Sequence, residues 1–432
     1  MLGMAQLLAE RGNYFPNLAD YPFLVANYPP VFIGIVAFGQ KLFGPSLGFP
    51  RALGLMATLG VLVALYRGLR AIVPDRRSAA AFASLFALPW FVTTWAGLAR
   101  VDTLAIFFSL AGLAVVLRHG MSPRSWPALV CFWLAFFTKQ NALLAPAAVA
   151  CELVLARDRR FAKALLAYAL PLAAAFGLLV LATHGAAYRH LVPYTAAAEY
   201  EPWRMGESYL QFGAIAAPLL LLVAVALVVA PKDFGSGAGR MLLVYFGLNA
   251  LALATIAKAG AAQNYFLEPW AATLLLAAFA GGALLERVKH LEPWRWAFLL
   301  VAATVASLSF PSLQRLPQAL RRPENAEEFV ELTRLVRETP GDVLSENLSL
   351  LVVNGRRVLV EPFGVQLIAR RGLFSTDRLV RDCEVGRFPL VIVEHRFWEV
   401  PGLGACLERR YTEAASLGPY QALRPRALAP VR

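Results

Sequence analysis

Charge is scarce in this chain: 16% of its 432 residues are Asp, Glu, Lys or Arg, where soluble domains carry roughly a quarter. Acidic residues are the scarcer sign, 28 against 41 Lys and Arg. A water-soluble surface is not built from so few charges. Cysteine numbers four, with no C-x-x-C spacing, so zinc is not indicated. Cys131 and Cys151 fall in apolar runs. Cys383 and Cys406 lie near the end, where they either form a disulfide in an oxidising compartment or stay two buried thiols. The basic connections hold no glycine-rich phosphate cradle, which removes support for ATP-driven transport. There is no evident internal repeat, and charge is missing from the middles of the apolar runs, against a transporter built on inverted repeats.

What is abundant is apolar sequence: 58% hydrophobic residues and a mean hydropathy of +0.56. Apolar runs of about bilayer length, ~20 residues, are expected at Ala52–Val73, Ala79–Ala96, Thr103–Leu117, Trp126–Phe137, Ala142–Ala156, Ala162–Thr183, Tyr209–Ala230, Met241–Ala257, Tyr265–Leu285 and Trp296–Phe310. The fourth and fifth are short for ~30 Å of hydrocarbon, either two crossings or one bent hairpin. The net charge of +13 sits mostly in alternate connections, the pattern of cytoplasmic loops beside an anionic leaflet rather than of a nucleic-acid binder. Both chain ends are then expected to face outward.

The expected fold class is an all-α polytopic membrane domain of about ten spans with outer-face interfacial helices, followed by a small C-terminal α/β extracytoplasmic domain. Residues 1–50 read as interfacial helices and loop, 51–312 as the transmembrane domain and 323–432 as the outer domain. Met1–Arg11 has a short helical pattern and Gly12–Asn27 is loop-like. Pro29-Pro30 opens a helix over Val31–Phe43, since proline suits a first helical turn; Tyr28, Phe32 and Phe38 are its expected interfacial aromatics. In the outer domain a helix is expected over Glu324–Glu338 and strands at Asp342–Ser345, Val358–Glu361 and Leu390–Glu394.

Nearly every chemistry-bearing residue falls in the outward connections. Asp102 follows Arg100 at a span mouth, where an ionisable side chain needs a reason; it reads as a site carboxylate or as a first-turn acid favoured by the helix dipole. Lys139, beside Gln140 and Asn141, and Lys258, with Asn264 and Tyr265, are phosphate contacts or snorkelling lysines. Asp20 is a substitute base or a turn former, and Arg51 a lipid-phosphate ligand or an anchor. The His184 to Ser208 loop, with Tyr200 and Glu201, offers aromatics among acids for stacking on a sugar, or an interfacial belt.

The order of these pieces resembles the GT-C glycosyltransferases, in the bacterial branch related to protein mannosyltransferases and the lipid A aminoarabinose transferase. The residues that carry the likeness are Gly3 to Tyr21, NYPPVF from Asn27, LFG-P followed by PRALGL from Pro50, R-V-D at Arg100 to Asp102, FTKQ from Phe137 and NYFLEPW from Asn264. The resemblance implies transfer of a monosaccharide, hexosyl or pentosyl, from a polyprenyl-phosphate donor to a lipid, glycan or protein acceptor at the outer face of a bacterial inner membrane. It implies Asp102 as a catalytic candidate, with Asp20 a substitute base if the customary upstream acid is missing. Arg51, Arg100, Lys139, Lys258, Asn264, Tyr265, Tyr28, Tyr200 and Glu201 become substrate contacts, with Asp102 a candidate ligand for a divalent metal such as Mg or Mn. The competing classes are a transporter or flippase of a lipid-linked substrate and a non-catalytic scaffold. The family's principal carboxylate precedes the segment matching Gly3 to Arg11, so either the true start lies upstream of Met1 or the customary acid is missing and the chain is inactive.

Overall fold

The computed structural model describes residues 1–120, 122–235, 237–287, 304–305 and 326–426. The apolar runs fold as helices α3 (Gly48–Ile72), α4 (Arg76–Ser84), α5 (Trp90–Ala96), α6 (Asp102–His119), α7 (Trp126–Thr138), α8 (Leu144–Leu155), α9 (Arg160–Ala182), α11 (Pro202–Val229), α12 (Gly237–Leu253) and α13 (Leu267–Leu285). Ahead of them lie α1 (Leu2–Arg11) and α2 (Pro30–Phe43), with the short α10 (Ala186–Arg189) in the long loop. Among the described residues six helices are long and apolar enough to cross a membrane, and α4 and α5, bent by 71° where Pro89 removes a helical N–H, make a broken seventh span or a re-entrant loop. The run expected at Trp296–Phe310 lies outside the described residues.

The two short runs are α7 and α8, of 13 and 12 residues, or about 20 Å each. Lys139, in the turn joining them, reaches Asp102 at the start of α6. Glu152 near the end of α8 pairs with Arg240 at the start of α12 (2.7 Å). The pair therefore rises from a basic end of the bundle and turns back beside Asp102, short of a ~30 Å hydrocarbon layer. The core is densest around α13, where Trp270, Phe266 and the run Ala271–Ala278 are almost wholly buried.

Glycine at 54, in the PRALGL run, lets α3 approach the turn before Asp102. A Cβ there would sit 2.8 Å from the carbonyl oxygen of Leu98 and 2.9 Å from that of Ala96. The Gly54 carbonyl also accepts from Thr103 Oγ1 (3.4 Å) and Thr58 Oγ1 (2.9 Å).

After the helices comes a four-stranded sheet in the order β1-β2-β4-β3, from β1 (Val343–Ser345), β2 (Leu390–Val393), β3 (Tyr411–Leu417) and β4 (Tyr420–Pro425). β1 and β2 are parallel and the β3–β4 hairpin is antiparallel. Helices α14 (Ala326–Glu338), α15 (Leu348–Val353), α16 (Pro362–Arg370), α17 (Asp377–Glu384) and α18 (Leu403–Arg410) accompany it. Cys383 on α17 and Cys406 on α18 form a disulfide, with Cα atoms 6.4 Å apart. Val358–Glu361 is not a sheet strand, correcting the expectation. Its Leu359 carbonyl accepts from the Phe23 N–H (2.7 Å) and the Glu361 N–H donates back to the Phe23 carbonyl (2.9 Å). The leader thus takes the pairing a neighbouring strand would have taken, and buries Phe23 and Leu24 in the sheet domain's cores. Phe32 also departs from the interfacial expectation: it is 1% exposed, packed with α1 and α6, whereas Phe38 is exposed.

Gly54→Ala is expected to cost about 1–3 kcal/mol, since neither backbone oxygen can yield to the methyl group. Gly34→Ala on α2, where a Cβ meets nothing within 4 Å, is expected to be neutral or mildly stabilising. Thermal denaturation of both variants in detergent tests the contrast; equal melting temperatures would remove the packing argument.

Candidate active site

Asp102 occupies the first turn of α6 with a side chain 1% exposed. Its Oδ1 accepts from Lys139 Nζ at 2.8 Å and from Asn264 Nδ2 at 2.7 Å. Three turns far apart in sequence therefore converge on one oxygen. Arg100 Nε stands 3.6 Å from the other oxygen, Oδ2, too far for a hydrogen bond. The Arg100 guanidinium lies over Trp95, 5.2 Å from the ring centroid, and the Lys139 ammonium over Tyr265 at 4.9 Å. Tyr28 and Tyr265 are both within electrostatic reach of Arg100 and Lys139.

Around this centre buried polar atoms lack hydrogen-bond partners among the described residues: Asp102 Oδ2, Arg100 Nε, Asn264 Oδ1, Asn27 Oδ1 and Gln140 Oε1. Such orphans are uncommon in a folded interior, and five around one carboxylate make this a candidate ligand site. The opposite face of Gln140 is fixed, Nε2 donating to the Asn27 carbonyl (2.9 Å). Tyr14 Oη donates to the Tyr28 carbonyl (3.0 Å), so the leader roofs the chamber.

Six of the residues singled out from sequence meet here: Asp102, Arg100, Lys139, Asn264, Tyr265 and Tyr28. Five do not. Asp20 is exposed, accepts from the Tyr21 N–H (2.6 Å) and pairs with Arg378 of the sheet domain (3.1 Å), which makes it a turn and docking residue. Arg51 is exposed in the first turn of α3. Lys258, Tyr200 and Glu201 form a separate clasp between the long loop and the mouth of α12. There Lys258 Nζ donates to the Thr195 carbonyl, Tyr200 Oη to the Ala254 carbonyl (3.1 Å) and the Glu201 N–H to the Ala257 carbonyl (2.7 Å). Burial holds the Lys258 ammonium below its usual range, as suits a lysine tied to a carbonyl with no carboxylate beside it.

The sequence reading named Gln140 and Asn27 and quoted the motif holding Glu268, but gave none of the three a site role. Glu268 accepts from Tyr245 Oη (2.9 Å) and lies within electrostatic reach of Lys139. It lies in the first turn of α13, just after the 3-10 turn Gln263–Phe266 that carries Asn264. His190 has a different role from sugar or metal binding. Nδ1 accepts from the Ala26 N–H (3.0 Å) and Nε2 faces the Pro16 carbonyl (2.9 Å), so a neutral ring protonated on Nε2 clamps the leader to the long loop. Burial lowers its pKa to about 4.

A divalent metal does not suit the Asp102 chamber. The oxygen donors are one carboxylate and three amide oxygens, and the carboxylate already serves a lysine and faces an arginine, whose charges oppose a second cation. Elsewhere among the described residues, Glu346, Glu394 and His395 bring ligand atoms within 4.8 Å of one another. Glu346 there is already committed to the backbone N–H groups of His395, Arg396 and Phe397.

The architecture matches solved structures over nearly its whole length. ArnT from Cupriavidus metallidurans, a lipid A aminoarabinose transferase crystallised with undecaprenyl phosphate, aligns with a TM-score of 0.59 at 13% identity, covering 99% of this chain and 93% of that one. Its apo form aligns equally well, over 98% and 92%. The fold is that of the GT-C membrane glycosyltransferases. An Archaeoglobus fulgidus oligosaccharyltransferase, solved with Zn and sulfate, shares the GT-C fold at a TM-score of 0.56 and 13% identity, over 95% of this chain and 66% of that one. No protein-family model and no curated protein sequence matches the chain.

Lys139→Met is expected to destabilise the fold by about 3–5 kcal/mol by stranding the Asp102 charge, with much of that recovered in the Asp102→Asn/Lys139→Met pair. A double-mutant cycle on melting in detergent measures it; additive effects would mean the pair is not coupled. For His190 the native pKa lies below the unfolded ~6.5, so its contribution is complete above pH 6.5, falls as pH drops through about 4, and is flat below. Hydrogen exchange at the Ala26 amide should accelerate across that window, and His190→Gln should abolish the dependence; a flat wild-type profile would contradict the clamp.

Proposed function

We propose that this protein transfers a monosaccharide from a polyprenyl-phosphate carrier to an acceptor at the outer face of a bacterial inner membrane, with Asp102 as the proton acceptor. The observation that carries the reading is the Oδ2 of a buried Asp102, without a hydrogen-bond partner among the described residues, beside a partly exposed arginine and a largely covered lysine, in a fold shared with an enzyme crystallised on undecaprenyl phosphate. An acceptor hydroxyl at Oδ2 gives its proton to the carboxylate as its oxygen bonds the anomeric carbon and the carbon–phosphate oxygen bond breaks. Protonation of Asp102 removes the partner of Lys139 and Arg100 just as the departing phosphate gains charge. The cations then pass from carboxylate to phosphate, an attraction that grows on the way to the transition state and therefore speeds the reaction. Tyr265, Tyr28 and Trp95 offer faces for a sugar ring.

Orientation follows the charge distribution: the site end takes the outer face because the opposite connections hold the dense arginines. The Cys383–Cys406 disulfide supports an oxidising compartment for the sheet domain. The test is transfer in membranes from a panel of polyprenyl-phosphate sugars. Wild type is expected to turn over at least one donor, and Asp102→Asn to lose roughly 10²–10⁴-fold while staying folded in the membrane. Undiminished turnover in Asp102→Asn removes Asp102 from the chemistry. Transfer from no donor, accompanied by lipid or solute movement, favours a flippase; neither activity favours a scaffold.

A further inference from the structure

At the end of the bundle opposite Asp102, helices α6, α7, α8 and α9 line a half-open groove of about 390 Å³. Its mouth is polar and basic, with Ser122, Ser125, Arg160 and Lys163; its deep end is Phe132 and Tyr168. Eight residues of α9 separate Arg160 from Tyr168, a depth of about 12 Å. Beyond the deep end Trp133 Nε1 donates to the Tyr168 carbonyl (3.0 Å), which ties α7 to α9 and closes the slot toward the membrane centre. The fourth wall, α9, has no buried residue, so the slot is walled by a helix facing the bilayer.

We infer that this slot is a binding site for an anionic phospholipid, one acyl chain inside and the phosphate at Arg160 and Lys163. Two features argue for this occupant. An apolar cavity of even ~150 Å³ stays dry and takes a hydrocarbon guest, so a larger one lined by Phe, Leu, Val and Ala favours a chain over water. Charge complementarity supplies the headgroup: Lys163 is exposed at the mouth, beside an Arg160 guanidinium whose Nε and Nη2 already donate to Asp158 (3.0 and 2.7 Å), so the phosphate meets Lys163 first and Arg160 as part of an ion pair. Basic pockets between membrane helices on the cytoplasmic side are suited to anionic headgroups. Held here, the lipid packs against α9 and braces the α7–α8 pair whose far turn carries Lys139. It is separate from the sugar-transfer reading, which concerns the other end of the molecule.

The test is native mass spectrometry of the full chain from nanodiscs of mixed phosphatidylglycerol and phosphatidylcholine. One phosphatidylglycerol per chain is expected to survive detergent exchange. Retention should fall roughly tenfold or more in Arg160→Gln/Lys163→Gln, at about 1 kcal/mol per basic residue, and should vanish in Ala164→Trp, which fills the slot while leaving both cations. Asp102→Asn should retain the lipid unchanged, so failure of the transfer reading leaves this result standing. Equal retention of the zwitterionic lipid, indifference to Ala164→Trp, or recovery of polyprenyl phosphate from the slot would each overturn the proposal.

Discussion

A buried carboxylate compensated from two distant turns is the constraint from which the rest of this molecule follows. Asp102 is 1% exposed, and an ion in such a place is tolerated only when paired and hydrogen-bonded. Lys139 and Asn264 supply that compensation through one oxygen. To bring Lys139 there, α7 must end early, which explains why that run and its partner are too short to cross upright. To bring the turn before Asp102 against α3, residue 54 must lack a side chain. The short helix and the glycine are thus consequences of one electrostatic requirement.

The leader ties this centre to the sheet domain. Within residues 12–27, Phe23 pairs with the 359–361 backbone, Ala26 and Pro16 hold His190, and the Asn27 carbonyl holds Gln140. A segment with so little regular structure stays ordered because its backbone groups are spent on three different neighbours. The leader thereby joins the sheet domain to the surroundings of Asp102, by a backbone pair at Phe23 and by the His190 and Gln140 side chains at its other end.

The helical architecture was legible because long apolar runs have few alternatives, and basic connections order them. The leader helix, α2 with its proline start, and the parallel pair β1 and β2 were legible for similar reasons. The β3–β4 hairpin was not: Tyr411–Leu417 alternates weakly and lies largely exposed. The site was half legible. A polar residue at a span mouth reads the same whether it snorkels, caps or reacts, so Asp20, Arg51, Lys258, Tyr200 and Glu201 looked equivalent to Arg100, Lys139 and Asn264. Only the crossing of α6, α7 and α13 separates them. Glu268 was hidden within an apolar first turn, where its partner, Tyr245, comes from a preceding helix.

The two oxygens of Asp102 divide structure from chemistry. Oδ1 carries both strong hydrogen bonds and fixes the rotamer; Oδ2 faces Arg100 without touching it and has no hydrogen-bond partner among the described residues. A purely structural carboxylate gains by satisfying both oxygens, because an unmet buried acceptor costs about 1–3 kcal/mol. The Arg100 guanidinium is close enough to close that gap by a small shift, yet stacks on Trp95 instead. Stability given up at one atom, beside cations that stay partly unengaged, is what the proposed transfer requires, since a glycosyl phosphate approached by a hydroxyl brings an anion and a proton together.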